Sequence, residues 1–509
     1  MQKLFLSLSL FLCTVMAQDL DSSRVFTKAW SDAGYVDSRA KKGINVLDFG
    51  VVGDGKVDDS VSIKKAISWV TKNEGVTVVY FPVGKYLITQ TIVLPDNIIL
   101  RGVSANSELI FDFSGKNGSC INVIGKGFSF QPVVGDGFIH QNTIEVSDVS
   151  QFSVGDYAEI EQKNDSSWDN NDQWSSHAIG QIVQIEKIAE SRLYFKNVLR
   201  ANYQSKYEPR IRKISPKKHV GIENFTIKRI DKKTPVYGNH ISFKYAARCW
   251  VSGVKFLNCV QRFVDMHHST NLQISGCYFK DAFDYGGGGH AYGCEASFHT
   301  GESLITNNIF EHLRHSMLVQ AGANGNVFSY NYSFDPHRSE WPHDYASDLC
   351  LHGNYPFANL FEGNIVYNAQ MDNSHGISGH LNTLFRNSIG HYGFIMTSNT
   401  NQQNILANDI TDAGRGLFIL LGKEHQSKGN RKANIWGNYN SLPKNSTVIS
   451  KSLYLKRTPK FWGNSLSWPS IGPNSKESFS SKQLPARERL LKKGNQIVVE
   501  QREVEIVKP

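Results

Sequence analysis

Beyond its first residues the chain has no apolar run long enough to cross a bilayer, so a membrane-spanning helix is excluded there. It has no dense acidic loop that would establish calcium binding and no recognisable nucleic-acid-binding motif. Cysteine is scarce, at 7 of 509 residues, and six lie past Ala17: Cys120, Cys249, Cys259, Cys277, Cys294 and Cys350. An even count in an exported chain permits disulfides. Cys259 and Cys277, however, each follow a repeat position by one residue, which predicts stacked, buried free thiols. Hydrophobic content of 40% and charged content of 20% are those of an ordinary soluble protein.

What the chain does have begins with Met1 to Ala17: Lys3, an apolar run from Leu4 to Val15, and small or tolerated residues at Val15 and Ala17. This reads as a cleaved secretory signal, which predicts a secreted or periplasmic protein with no membrane contact after cleavage. The net charge of +9 suits an acidic partner, and outside the cell that points to a polysaccharide rather than a nucleic acid.

A six-residue phrase recurs along the chain. Asn326-Val-Phe-Ser-Tyr-Asn331 returns at Asn359 to Asn364, Asn382 to Asn387, Gln403 to Asn408 and Ala433 to Asn438, with looser copies closing at Asn224, Asn258, Gly276 and Asn308. Short β runs separated by polar turns, at steps clustering near 20 to 25 residues, are the pattern of a solenoid whose coils stack in parallel. Parallel strands lie roughly 4.8 Å apart, so an asparagine at one place in every coil bonds to its equivalents above and below. The apolar pairs Val327-Phe328, Leu360-Phe361, Leu384-Phe385 and Ile405-Leu406 keep one phase, as a buried strand requires.

The expected fold is therefore all-β: a right-handed single-stranded parallel β-helix with an N-terminal capping helix and a small inserted β subdomain. The organisation reads as signal 1–17, cap and first coils 43–130, inserted subdomain 131–216, main coils 217–440, and closing segment and tail 441–509. Ile63, Ala66, Ile67 and Val70 fall on one helical face behind Asp58 and Asp59, which are placed to cap that helix over the open first coil. From 131 to 216 the repeat vanishes and alternating runs such as Thr143 to Val146 and Arg192 to Phe195 take over. Trp168 and Trp174 in its polar loop are candidates for stacking on sugar rings.

The stretches NVLDFGVVGDGKVDDSVSIKKAI (45 to 67), VVYFPVGKYLIT (78 to 89) and LPDNIILRGVS (94 to 104) resemble the opening of the pectate-lyase-like superfamily that contains rhamnogalacturonases and C5-epimerase-like proteins. The resemblance implies a right-handed parallel β-helix acting on polysaccharide. It does not choose among lyase, hydrolase, isomerising enzyme and non-catalytic spike.

Extra residues in a coil emerge as loops, and loops on one face build a groove. Gly276 to Asn308 carries Asp284, Tyr285, four glycines, His290 and Glu295; Asn331 to Asn364 carries Arg338, Trp341, Asp344, Tyr345 and Asp348. Ten of 17 histidines lie between 290 and 391, among them His315, His352 and His375, the last two each twelve residues before a repeat asparagine and so expected to be neighbours. Such clustering with carboxylates suits proton transfer. Two chemistries fit. In β-elimination His352 or His375 is the base, Tyr285 or Tyr345 the proton donor, and Arg314 or Arg338 the group that neutralises a uronate carboxylate, with Trp341 as a further substrate contact. Calcium, which the resemblance implies for lyases, would fall to Asp284, Asp344 or Asp348. In hydrolysis Asp348 and Asp372, expected one coil apart at about 5 Å, or Glu295, would supply paired carboxyls. His290 and His315 complete the candidate catalytic set. The polygalacturonase-like signature is incomplete: Ser347-Asp348 and Ser374-His375-Gly376 are similar to two of its turns, while its paired first aspartate and arginine-isoleucine-lysine segment are missing.

Overall fold

The protein is represented by a computed structural model that describes residues 21–509 apart from 38–40, 169–172, 232–233, 235–236, 398–399, 412–416, 434–438, 442–449, 465, 474–482, 493–495 and 500. The expected signal at 1–17 and most of the repeat copy at 433–438 lie outside these residues.

The chain forms a parallel β-helix. Each coil contributes a short first strand to a thirteen-stranded sheet and then a second and a third strand to a sheet of twenty-one strands whose ladders run side by side. One turn of the solenoid runs Leu304–Thr306, Ile309–Glu311, His315–Val319, and the next runs Val327–Ser329, Tyr332–Phe334, Leu349–Leu351. Their registers are one-to-one: Phe328 opposes Phe361, which opposes Leu384 and then Ile405. These residues are buried, and Phe256, Phe279 and Phe310 stack with ring centroids 4.9 and 4.7 Å apart.

The amide ladder is continuous. Asn308 Nδ2 donates to Asn331 Oδ1 at 3.0 Å, Asn331 to Asn364 at 3.0 Å, Asn364 to Asn387 at 2.9 Å, Asn387 to Asn408 at 3.0 Å and Asn408 to Asn430 at 3.0 Å. A second ladder joins the opening asparagines, Asn326 to Asn359 to Asn382, each step 3.0 Å. Each amide also bonds a carbonyl of the coil below, as Asn364 Nδ2 does with Phe328 O at 2.9 Å, so turn carbonyls shut off from water are paired.

Upstream the phase differs from the sequence reading. Asn224, Gly253, Gly276 and Asn307 occupy the left-handed residue of the turn, and the ladder place just after it holds Val254 and Cys277 before the first asparagine at 308. Asn258 is outside the ladder altogether. For the same reason Cys259 and Cys277 do not stack: Cys259 pairs with Ala282 in one ladder, whereas Cys277 sits at the turn between first and second strands. All six cysteines past Ala17 are buried and unbridged.

The helix Ser60–Lys72 buries Ile63, Ala66, Ile67 and Val70 against the first coil. Asp58 receives the Ser60 N–H at 3.0 Å, while Asp59 turns back to accept from Val52 and Gly53 at 2.8 and 3.1 Å. At the same end the last strand, Val504–Ile506, runs parallel to Lys41–Asn45 and covers that edge of the thirteen-stranded sheet. The chain reaches it by returning along the solenoid: Arg489 bonds Asn307, Val498 N donates to Gly276 O, and a Cβ on Gly253 would lie 2.2 Å from Val498 O.

Residues between Lys126 and Ser215 build a separate antiparallel sheet of seven strands, and pairing of Gln131–Val134 with Arg210–Ser215 closes it on itself. It leaves the solenoid after the third strand Ile121–Ile124 and rejoins before the first strand Gly221–Glu223. It therefore stands beside the ends of the third strands and docks there through charge. Glu159, fully buried, accepts from His268 Nδ1 at 2.6 Å, from His299 Nδ1 at 2.7 Å and from Arg212, while Arg200 bonds Glu302 at 2.8 Å and Asn324 at 2.7 Å.

Candidate active site

The two long loops leave the solenoid between the second and third strands, at 283–291 and 335–348, and the closed sheet stands where the third strands end. The outer face of the third-strand ladder lies between these two walls. Alternation along each strand puts two rows of side chains on that face. One row is Ser242, Asp265, Glu295, Leu318, Cys350 and Gln370. The other begins Lys244, His267, Ser297 and continues through Gln320, His352 and Asp372, whose N–H groups keep the parallel bonding pattern to Ala296, Val319 and Leu351.

Two imidazole–carboxylate pairs stand out. His352 Nδ1 lies 2.8 Å from Asp372 Oδ2, with the histidine partly exposed and the aspartate buried. Burial opposes the charge on Asp372, but the bonds from His352 and from the Ser374 N–H at 3.0 Å outweigh it and hold the carboxyl below its ordinary range. His352 Nε2 has no hydrogen-bond partner among the described residues. His375 presents an edge to the His352 ring at 4.8 Å, so the expected neighbours meet. His315 lies 5.6 Å away, bonded through Nδ1 to Ser347 O; burial and His352 push its pKa down to about 3, which keeps it neutral.

The second pair is His267 with Asp265, at 2.9 Å between Nε2 and Oδ1. Those two buried atoms face each other without hydrogen-bond geometry. Arg262 lies 3.6 Å from Asp265, ion-pairs with Glu295, and stands 5.5 Å over the Tyr292 ring. Burial opposes ionisation of Asp265, but His267, Arg262 and Lys244 outweigh it and lower its pKa. Sequence reasoning had Glu295 but missed Asp265, His267, Arg262 and Lys244. Alternation within Val264-Asp265-Met266-His267, with Val264 and Met266 inward, is the signal that could have found Asp265 and His267.

Other expected residues go elsewhere. Asp348 and Asp372 are not paired: Leu349 opposes Ala369 and Leu351 opposes Met371, so the two aspartates lie at opposite ends of the paired strands. Asp348 is buried, accepts from Ser333 Oγ and from Tyr367 N and Asn368 N at 2.9 Å, and burial raises its pKa to about 6. Arg314 ties the two loops together, donating to Tyr285 O at 2.9 Å and Glu340 at 2.6 Å, and Arg338 holds Pro342 O at 3.0 Å, so both serve loop structure. Tyr285 packs on His312 and His337, away from the His352 pair, and its oxygen accepts from Ala282 N. His290 bonds Gly286 O within the glycine loop at 2.8 Å, and Trp341 is 81% exposed on the other loop. Tyr345 is close enough to Asp372 to feel its charge.

The residues proposed for calcium do not fit the ion. Asp344 is held by His391 at 2.7 Å and Tyr392 at 3.0 Å, Asp348 is buried among donors, and Asp284 bonds Gly286 N at 2.9 Å. Among the described residues, the groups whose donor atoms converge each include a histidine, as in Asp265, His267 and Glu295, unlike the all-oxygen shell that calcium prefers.

Residues 43–282 match the family model described as "Rhamnogalacturonase A/epimerase, pectate lyase-like". The match takes in a little under half of the chain. The rhamnogalacturonase/epimerase-like segment contains the cap, the closed sheet, and the coil bearing Asp265 and His267. Among curated relatives the chain is 38% identical over 81 residues to a probable glucan endo-1,3-beta-glucosidase of Arthroderma benhamiae, spanning 16% of this chain and 9% of that protein. It is 32% identical over 75 residues to a pre-neck appendage protein of Bacillus phage B103, spanning 15% of this chain and 8% of that protein. The chain thus covers less than a tenth of either relative. Among solved structures it is similar to the tailspike protein gp49 of Pseudomonas phage LKA1, with a TM-score of 0.57 at 15% identity over 77% of this chain and 64% of that one, a likeness of fold.

Proposed function

We propose that this chain is an exported polysaccharide lyase that cleaves a uronate-containing polymer by β-elimination, with an imidazole as base. The observation that carries the reading is the His352–Asp372 pair, 2.8 Å apart on the walled face, with Nε2 open to accept a proton. In the elimination the base takes the proton on the carbon beside the uronate carboxylate, that electron pair forms the new carbon–carbon double bond, and the glycosidic carbon–oxygen bond breaks. The departing oxygen takes up a proton, for which Tyr345 is the nearest of the phenols suggested by sequence. Lys244 and Arg262 bring positive charge to the same face, where a row of polymer carboxylates is drawn along successive coils.

Hydrolysis by paired carboxyls needs one of them to hold a proton. Asp265 and Glu295 are register neighbours, but both ion-pair with or lie beside Arg262, and Asp265 is held ionised. The histidine pairs thus favour elimination. A second assignment of the base, His267 oriented by Asp265, is favoured by the 2.9 Å approach of that pair on the same face.

The test is incubation with a panel of uronate-containing and sulfated polysaccharides, following both unsaturated-uronate absorbance and new reducing ends. Elimination raises both; reducing ends alone indicate hydrolysis, and neither signal indicates a binding protein. His352→Ala and His267→Ala, made singly, then identify the base, and full turnover in both variants removes the proposed mechanism.

A further inference from the structure

Two adjoining cavities, of about 430 and 290 Å³, share Tyr355, His380 and Gln402 and so form one trough. Those residues come from the turns that follow successive third strands: Tyr355 N bonds Ile377 O, Leu381 N bonds Gln402 O, and Gln402 N bonds Lys423 O. The floor of the trough therefore advances one coil at a time, by roughly 4.8 Å per step, along the solenoid axis. Its opposite wall in the larger cavity is the closed sheet, with Trp168, Gln162, Asn202 and Gln204. It lies past His375, outside the two rows of the third-strand face.

We propose that this trough is an accessory binding site for uncharged pyranose units of a glycan. Its volume is that of a ligand site, and it combines a flat apolar wall with amides, the mixture that recognises a sugar ring by its C–H face and its hydroxyls. The flat surface is Trp168, which reaches across from the closed sheet and stacks on Tyr355 of the floor at 4.7 Å and 5°. The amides are pre-oriented: Gln162 Oε1 accepts from Gln204 N and Asn202 Oδ1 from Ile139 N, both at 2.8 Å, leaving each NH2 as a donor to hydroxyl oxygens. Tyr355 Oη and His380 Nδ1, 3.2 Å apart, add a hydroxyl and an imidazole that burial keeps neutral by lowering its pKa to about 4.

Charge selects the class of sugar. Asp165 lines the larger cavity and Glu424 the smaller. Hydrogen bonds from Tyr207 and Ser167 hold Asp165 ionised, its pKa lowered to about 2, and Lys423 is the single cation among the lining residues. A uronate placed beside Asp165 would meet a like charge, whereas a neutral pyranose meets acceptors for its hydroxyls.

The site is independent of the proposed elimination, so its test reads binding and not turnover. Calorimetric titration of the full chain with uncharged gluco-, manno- and galacto-hexasaccharides is expected to show saturable binding of at least one, which hexagalacturonate does not displace. Trp168→Ala and, separately, Asn202→Ala are expected to weaken it at least tenfold, while Trp168→Phe, which keeps the ring stack, retains most of the affinity and an unchanged melting temperature. Absence of binding by all three neutral hexamers, equal binding by both alanine variants, or displacement by hexagalacturonate would overturn the proposal.

Discussion

In the proposed elimination Asp372, 2.8 Å from His352 Nδ1, fixes the imidazole with that nitrogen inward and stabilises the cation formed when Nε2 takes a proton. Asp372→Asn is therefore expected to lower kcat on the identified polymer by about 100-fold with little change in KM, measured by initial rates of unsaturated-uronate formation. Asp348 offers the contrast. Its proton stays on up to about pH 6 in the folded chain but leaves near the ordinary value of 3.8 in the unfolded chain. The folded state thus binds more protons between those values, so the stability this group lends is full below 3.8 and is lost as the pH rises through 6. Asp348→Asn is expected to flatten that part of the melting-temperature profile and to change turnover less than about threefold, as suits a buried packing residue.

At the scale of elements, the asparagine ladder is the main stabilising device in the turns. Removing one amide costs bonds on both sides: Asn364→Ala deletes its bonds to Asn387 Oδ1 and Phe328 O and leaves Asn331 N and Nδ2 without the Asn364 Oδ1 acceptor. The expected cost is about 3 kcal/mol, read as a shift in the denaturation midpoint. Docking of the closed sheet depends in the same way on Glu159. Its replacement by glutamine leaves Arg212 and two histidines buried around a neutral group, and hydrogen exchange over Tyr157–Gln162 is expected to quicken at least tenfold while the coils beyond Asn308 stay protected. The ladder was legible in the sequence from Asn308 to Asn408, because there one residue type recurs at one phase. It was not legible upstream, where Val254 and Cys277 fill the same place and nothing in their chemistry announces a turn. The site was half legible for a related reason. His352, Asp372 and His375 sit at strand ends where polar residues cluster visibly, whereas Asp265 and His267 are hidden within a strand as alternate residues. The Asp348–Asp372 pairing failed because counting back from the ladder assumes equal turns after the third strand, whereas Leu351 lies 13 residues before Asn364 and its register partner Met371 lies 16 before Asn387.

For the whole molecule, the β-helix and its pectate-lyase-like opening could both be read from residues 45 to 104 and the repeats. The return of the chain along the solenoid could not, since its partners are backbone atoms of turns hundreds of positions away. Deleting residues 503–509 removes Val504–Ile506 from beside Lys41–Asn45 and leaves an open row of N–H and C=O groups. The shortened protein is expected to self-associate in a concentration-dependent way by light scattering, with turnover per folded molecule unchanged.

That closing strand also sets an order of events during synthesis. The ribosome delivers Lys41–Asn45 more than four hundred residues ahead of Val504–Ile506, so the first coil must wait, partly built and unsealed, until that strand is made. Premature termination anywhere in that interval yields a rod with one naked end, and the cell meets a sticky fragment instead of a shorter folded protein.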